Sequence, residues 1–233
     1  MKVLMLSSSR EGQSGYLETA KSHILKHMGQ AKRLLFVPFA GVTVDWDEYT
    51  QIVQQALPEI EVTGIHHASN AVQALREADA IAVGGGNTFN LLNELYRQAL
   101  IEPLRERVLQ GTPYIGWSAG SNICGNSIRT TNDMPIVEPP SFTALKLVPF
   151  QINPHYTDYQ APGHNAETRA QRIAEFMVLN PQMPVLGIRE GSALLREDNQ
   201  LTLVGSHPGV VFLGGNSQEI EPGADLSHFL KEQ

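Results

Sequence analysis

The chain has 233 residues, 42% hydrophobic and 18% charged, an ordinary globular balance with ample material for a core. Its formal net charge is −7 with no lysine- or arginine-rich run, which argues against nucleic acid or another polyanion as partner. The single cysteine, Cys124, excludes an intramolecular disulfide and a cysteine-rich zinc site, and no segment approaches the ~18 apolar residues of a membrane span, so a soluble cytoplasmic protein is expected.

In chain order, residues 3–7 (VLMLS) read as a buried strand; the apolar run is too short, and its sequel too polar, for an export signal. A helix is expected over 16–27, then a strand at 33–39 (RLLFVPF), a helix at 45–55, a strand at 61–66 (EVTGIH) and a short helix at 71–77. The run AIAV (80–83) leads into Gly84-Gly85-Gly86-Asn87 and a helix from about 89 to 99. A further helix near 102–109 feeds a strand at 114–117. Apolar runs alternating with helical patterns predict an α/β fold, a mostly parallel sheet with helices on both faces. Beyond a helix at 166–179, four short strands (184–188, 193–196, 201–204 and 210–213) suggest hairpins continuing one sheet edge towards the C-terminus. With no repeat, low-complexity tract or linker, residues 1–233 read as one domain.

The stretch GWSAGS (116–121) places Ser118 in a G-x-S-x-G pattern where a strand gives way to a helix. That is the signature of a nucleophile elbow, a strained turn that exposes a serine hydroxyl. Such a serine needs a base, and the base an orienting acid. Of eight histidines, His155 is the best placed, in FQINPHY where an apolar run meets Asn153-Pro154; His164 is the second choice. His23 and His27 are expected to face solvent, and His66 and His67 to end a strand near a sheet edge. Two acids compete for the third role. Glu190 follows the strand-like VLGIR, whereas Asp133 keeps the serine–acid–histidine order of α/β-hydrolases but lies close to the serine in sequence. The spacing leaves both open. Gly84–Gly86 lacks the spacing of a dinucleotide loop or P-loop, and a glycine N–H there is better read as an oxyanion donor beside that of Ala119, because both turns are expected to end neighbouring strands on one edge of the sheet.

Six stretches carry a family resemblance: VPFAGVTVDWDEYT (37–50), VGGGNTFNLL (83–92), YIGWSAGSN (114–122), IRTTNDMPIV (128–137), QINPHYT (151–157) and ETRAQRI (167–173). Together they closely resemble the peptidase E family, α-aspartyl dipeptidases with a fold like that of class I glutamine amidotransferases. The match runs from the first strand to beyond Glu190 and fades after about residue 192. It implies metal- and cofactor-free cleavage of dipeptides with an N-terminal aspartate, with Ser118 as nucleophile, His155 as base, Glu190 or Asp133 behind it, and Gly86 and Ala119 as the oxyanion donors. It further implies a carboxylate clamp at Arg169, as the bidentate chemistry of guanidinium requires, with Asn87 and Thr168 assisting. Asp158 and Glu167 are candidates for holding the substrate ammonium. A β-aspartyl hydrolase, or a non-catalytic binding module on the same scaffold, stays open as an alternative. The sequence does not distinguish monomer from homodimer.

Overall fold

The computed structural model describes residues 1–163 and 165–231; His164 lies outside the described residues. Two sheets organise the chain. The first has seven strands: β1 (Lys2–Leu6), β2 (Arg33–Val37), β3 (Glu61–Gly64), β4 (Ala80–Val83), β5 (Tyr114–Trp117), β8 (Ser192–Glu197) and β9 (Gln200–Gly205), in the order β3-β2-β4-β5-β1-β8-β9. Strands β1 to β5 pair in parallel, while β8 joins β1, and β9 joins β8, antiparallel.

Successive side chains of a strand point to opposite faces, so a strand covered on both sides must be apolar throughout. This is visible in β1, where Val3 and Met5 enter one core and Leu4 and Leu6 the other. The second core is closed by α1 (Lys21–Met28) and α2 (Trp46–Ala56) through Ile24, Met28, Tyr49 and Val53. The first is closed by α3 (Ala71–Glu77), α4 (Thr88–Arg97) and α5 (Ile101–Leu109) through Leu75, Leu91, Leu92, Leu95, Leu104 and Val108. No helix among the described residues is long and apolar enough to cross a membrane.

The late strands depart from expectation. Only β8 and β9 extend the first sheet. Strands β6 (Gln151–Asn153), β7 (Val185–Gly187), β10 (Gly209–Leu213) and β11 (Asn216–Ile220) form a second sheet, ordered β11-β10-β7-β6. One face of it, with Val185, Val210 and Phe212, packs on Ile173 and Met177 of α7 (Arg169–Leu179), while Ile152, Leu186 and Val211 on the other join the main core. Local pattern marks a strand but not its partner, which is why the hairpin expectation misplaced β7 and β10.

Helix α1 starts at Lys21 rather than 16, because Leu17 takes a positive φ of 55° and breaks the helical path. His27 is buried rather than solvent-facing, its Nε2 3.1 Å from the Tyr114 carbonyl. Burial holds its pKa below the ordinary histidine value.

Candidate active site

Ser118 stands between β5 and a short helix, α6 (Ala119–Asn122), with φ 53° and ψ −113°. A non-glycine residue held there stores about 1–3 kcal/mol of strain, which the surroundings must offset. Three features hold it. The Ser118 N–H donates to Leu6 O (3.2 Å), its carbonyl accepts from the N–H groups of Ser121 and Asn122, and Trp117 is locked beneath. The Trp117 ring stacks on Phe36 at 5.6 Å, and its Nε1–H reaches the hydroxyls of Tyr16 and Tyr49. The flanking glycines are required by close approach: a Cβ on Gly116 would lie 2.4 Å from Gly120 O, and one on Gly120 2.1 Å from Val83 O. Helix α6 thus sits directly on the strand ends.

The neighbouring turn, between β4 and α4, brings Gly86 to the same edge. Its φ of 134° and the 2.2 Å that would separate a Cβ from Ala40 O restrict the position to glycine. Among the described residues neither Gly86 N–H nor Ala119 N–H donates to another backbone group, so both are available to a ligand. The Ser118 hydroxyl is likewise unbonded among them.

His155 comes from the second sheet, just past β6, also at a positive φ (53°). Its Nδ1 lies 2.7 Å from Glu190 Oε1, both side chains being partly exposed (38% and 48%). Its backbone N–H donates to Ser7 Oγ (2.9 Å), and that buried hydroxyl donates to Ile188 O (2.7 Å). Asn132 Nδ2 donates to Pro154 O, Asn153 Nδ2 to Thr130 O and Asn132 Oδ1, and Asn122 Nδ2 to Ile152 O. These bonds fix the segment that carries the imidazole. Nothing in the sequence singled out Ser7; its role depends on two partners more than 140 positions away.

Ser118 and His155 together border two cavities of opposite character. The smaller, about 190 Å³, is lined by Thr88, Asn132, Asp133 and Arg169 among others, and the larger, about 660 Å³, by Tyr16, Val42, Val44, Tyr49, Ile52 and Ile136 among others. Arg169 is the first residue of α7 and makes no ion pair among the described residues; burial, then the neighbouring Arg172, pulls its pKa below the usual arginine value, while Asp133 opposes this.

Asp133 does not hydrogen-bond His155. Its Oδ2 accepts from the Thr88 N–H (2.7 Å) and from the hydroxyls of Thr88 and Thr131, within the small cavity that also holds His155 and Arg169. Thr168 is spent otherwise: its Oγ1 accepts from Gln171 N–H while Gln171 Oε1 accepts from Thr168 N–H, a reciprocal cap on α7, and it lines neither cavity. Asn87 caps α4 through Asn90 N–H and donates to Met134 O, which commits both ends of its amide, although it borders the large cavity. Asp158 is held by Arg189 and the Tyr156 hydroxyl, and Glu167 lies beside Arg172; neither reaches the site.

A serine on a strained strand-to-helix turn of a mostly parallel sheet, bordering the same cavities as a carboxylate-bound histidine, gives an α/β protein with the parts of a hydrolase. Residues 3–204 match peptidase family S51, and the chain belongs to that family. Over its whole length it is similar to the peptidase E of Shewanella denitrificans (55% identical over 234 residues, 99% of each chain) and to that of Shewanella sp. W3-18-1 (53%, 99% of each). The likeness therefore extends well past residue 192, where the motif resemblance was expected to fade. The fold is shared with a solved peptidase from an acI-B1 Actinobacterium at a TM-score of 0.69, covering 97% of this chain and 96% of that one at 16% identity. The protein is a peptidase.

Proposed function

We propose that this peptidase is a serine dipeptidase that hydrolyses α-linked dipeptides with an N-terminal aspartate. The observation that carries the reading is the position of Ser118 and His155 between a small polar cavity holding Arg169, which has no ion pair among the described residues, and a larger apolar one. An aspartyl side chain suits the small cavity, where Arg169 can bind its carboxylate bidentately. The cavity's own anion, Asp133, is the natural acceptor for the substrate ammonium, and the second residue extends into the apolar cavity.

In the reaction, His155 Nε2 takes the Ser118 proton as Oγ attacks the scissile carbonyl. The resulting oxyanion is received by the N–H groups of Gly86 and Ala119. Glu190 fixes the imidazole through Nδ1 and stabilises it when protonated. The imidazolium then gives its proton to the departing amine, leaving an aspartyl ester on Ser118, and water repeats the sequence to release aspartate. The Glu190 contact at 2.7 Å supports Glu190 rather than Asp133 in the orienting role.

Purified protein should cleave Asp-Leu, and Ser118→Ala should not. Cleavage of β-Asp-Leu in preference to Asp-Leu would retain the serine chemistry and displace the substrate assignment. A folded protein that cleaves Asp-Leu equally well without the Ser118 hydroxyl would end the proposal.

A further inference from the structure

A second cluster of chemistry-bearing side chains lies outside the site. Asp47, in the first turn of α2, meets His66 and His67, which directly follow β3. His66 Nε2 lies 2.7 Å and His67 Nε2 2.9 Å from the same oxygen, Asp47 Oδ1, and all three atoms fall within 4.8 Å of one another. The residues are contributed by two separate elements, so the convergence belongs to the fold rather than to one local turn. We infer that Asp47, His66 and His67 form a binding site for a borderline divalent cation such as Zn²⁺, Ni²⁺ or Cu²⁺.

Two imidazoles and one carboxylate are a donor set that favours these ions over Mg²⁺ or Ca²⁺. With metal–ligand bonds of about 2.0–2.1 Å in a tetrahedral arrangement, donor atoms stand roughly 3.3 Å apart. The two imidazole nitrogens, at 2.7 and 2.9 Å from Asp47 Oδ1, therefore need to move away from that oxygen by only about half an ångström around an ion. The freedom to do so lies in Asp47 and His67, 67% and 62% exposed, while His66 at 12% is the fixed member. Water completes the coordination shell. Coordination through Nε2 requires each imidazole to carry its proton on Nδ1. His67 Nδ1 can pass that proton's hydrogen bond to solvent, but His66 Nδ1 is buried with no acceptor among the described residues. Metal-bound histidines usually have such an acceptor, so the ion is held in an exchangeable way and a chelator removes it without unfolding the chain.

The position gives the ion a structural consequence. Trp46, beside Asp47, packs on the His66 ring (5.8 Å between centroids) and on Phe39, and its Nε1–H donates to Gly41 O. Gly41, Val42 and Val44 border the large cavity. A bound cation ties the start of α2 to the end of β3 and stiffens that rim from behind. It takes no part in the hydrolytic steps, and the inference stands whether or not the proposed substrate is correct.

The test is calorimetric titration of the full, chelator-treated chain with Zn²⁺, alongside Trp46 fluorescence during titration with Ni²⁺. One equivalent of Zn²⁺ should bind and raise the melting temperature, and Ni²⁺ should quench fluorescence in the wild type but far less in Trp46→Phe. His67→Gln, an exposed change, should weaken binding at least about tenfold and leave the metal-free melting temperature and peptidase activity unaltered. Asp47→Asn should weaken it as well. Absence of stoichiometric binding, or binding of undiminished affinity in His67→Gln, would overturn the assignment.

Discussion

The first sheet and the second contribute to the site in different ways. The first supplies Ser118, Ala119 and Gly86 through turns at the ends of adjacent strands β4 and β5, so these groups are fixed by local backbone geometry. The second supplies His155 and Glu190 from beyond β6 and β7, held against the first sheet by Ser7 and a web of asparagine side chains. The serine side is locked by close backbone packing and main-chain hydrogen bonds, the histidine side by side-chain hydrogen bonds. The histidine side is therefore the more adjustable of the two.

The largest effect should come from the serine side. Ser118→Ala is expected to lower kcat by about 10⁴–10⁶-fold with the fold retained, read by steady-state kinetics on Asp-Leu and by circular dichroism. Next comes Glu190→Gln, which keeps the hydrogen bond but loses the charge behind His155. It should cost about 10²–10⁴-fold in kcat with KM little changed. If Asp133→Asn instead reproduced that pattern and Glu190→Gln were silent, the division of labour between the two acids would be reversed. Arg169→Met should reduce kcat/KM for Asp-Leu by about 10²-fold and leave slow cleavage of a neutral dipeptide nearly as it was; equal loss on both would remove Arg169 from substrate selection.

Ser7→Ala sharpens the comparison most directly. It removes the acceptor for His155 N–H and the donor to Ile188 O, so a loss of about 1–3 kcal/mol in stability is expected. A positioning role further requires kcat to fall at saturating substrate under conditions where the variant is fully folded. A purely structural role would leave kcat alone.

The smallest effect concerns pH. His27 is neutral in the fold because burial lowers its pKa, so the unfolded chain binds the extra proton as pH drops through the ordinary histidine range near ~6.5. Its contribution to stability is complete above that value and declines as pH falls towards the folded pKa. Melting curves from pH 8 to pH 5 should show the decline, and His27→Gln should shallow it. An unchanged slope in the variant would assign the acid sensitivity elsewhere.

The serine side was legible in the sequence for the reason that it is local. Apolar runs such as AIAV and YIGW, each followed by small residues, record buried parallel strands and tight turns within a few positions. The histidine side was legible only in part. The position of His155 beyond a strand end could be read, but spacing left Glu190 and Asp133 undecided because their separation in space depends on how two sheets pack. Thr168 illustrates another limit. A threonine three residues before a glutamine is a helix cap by pattern, whereas the family resemblance implied a part in substrate binding. Strand β11 (NSQEI) went unseen because an exposed edge strand needs no apolar alternation. His27, three positions after Ile24 and next to Met28, lies on the apolar stripe of α1, a sign that residue type alone obscured.

One feature of the pairing bears on how the molecule is made. Strand β1 lies between β5 and β8, so once synthesised it waits for Ser192–Glu197 before its second edge is covered. At about 5–20 residues per second, translation separates those two strands by roughly 10–40 s. Over that interval the nascent chain carries an open β-edge, and Ser7 has neither His155 nor Ile188 to hold. Such long-range closure predicts slow, late folding and a demand on chaperones during synthesis. It also means that the proposed catalytic set is complete only once Glu190 has been synthesised, so on that reading a chain interrupted earlier cannot consume peptides.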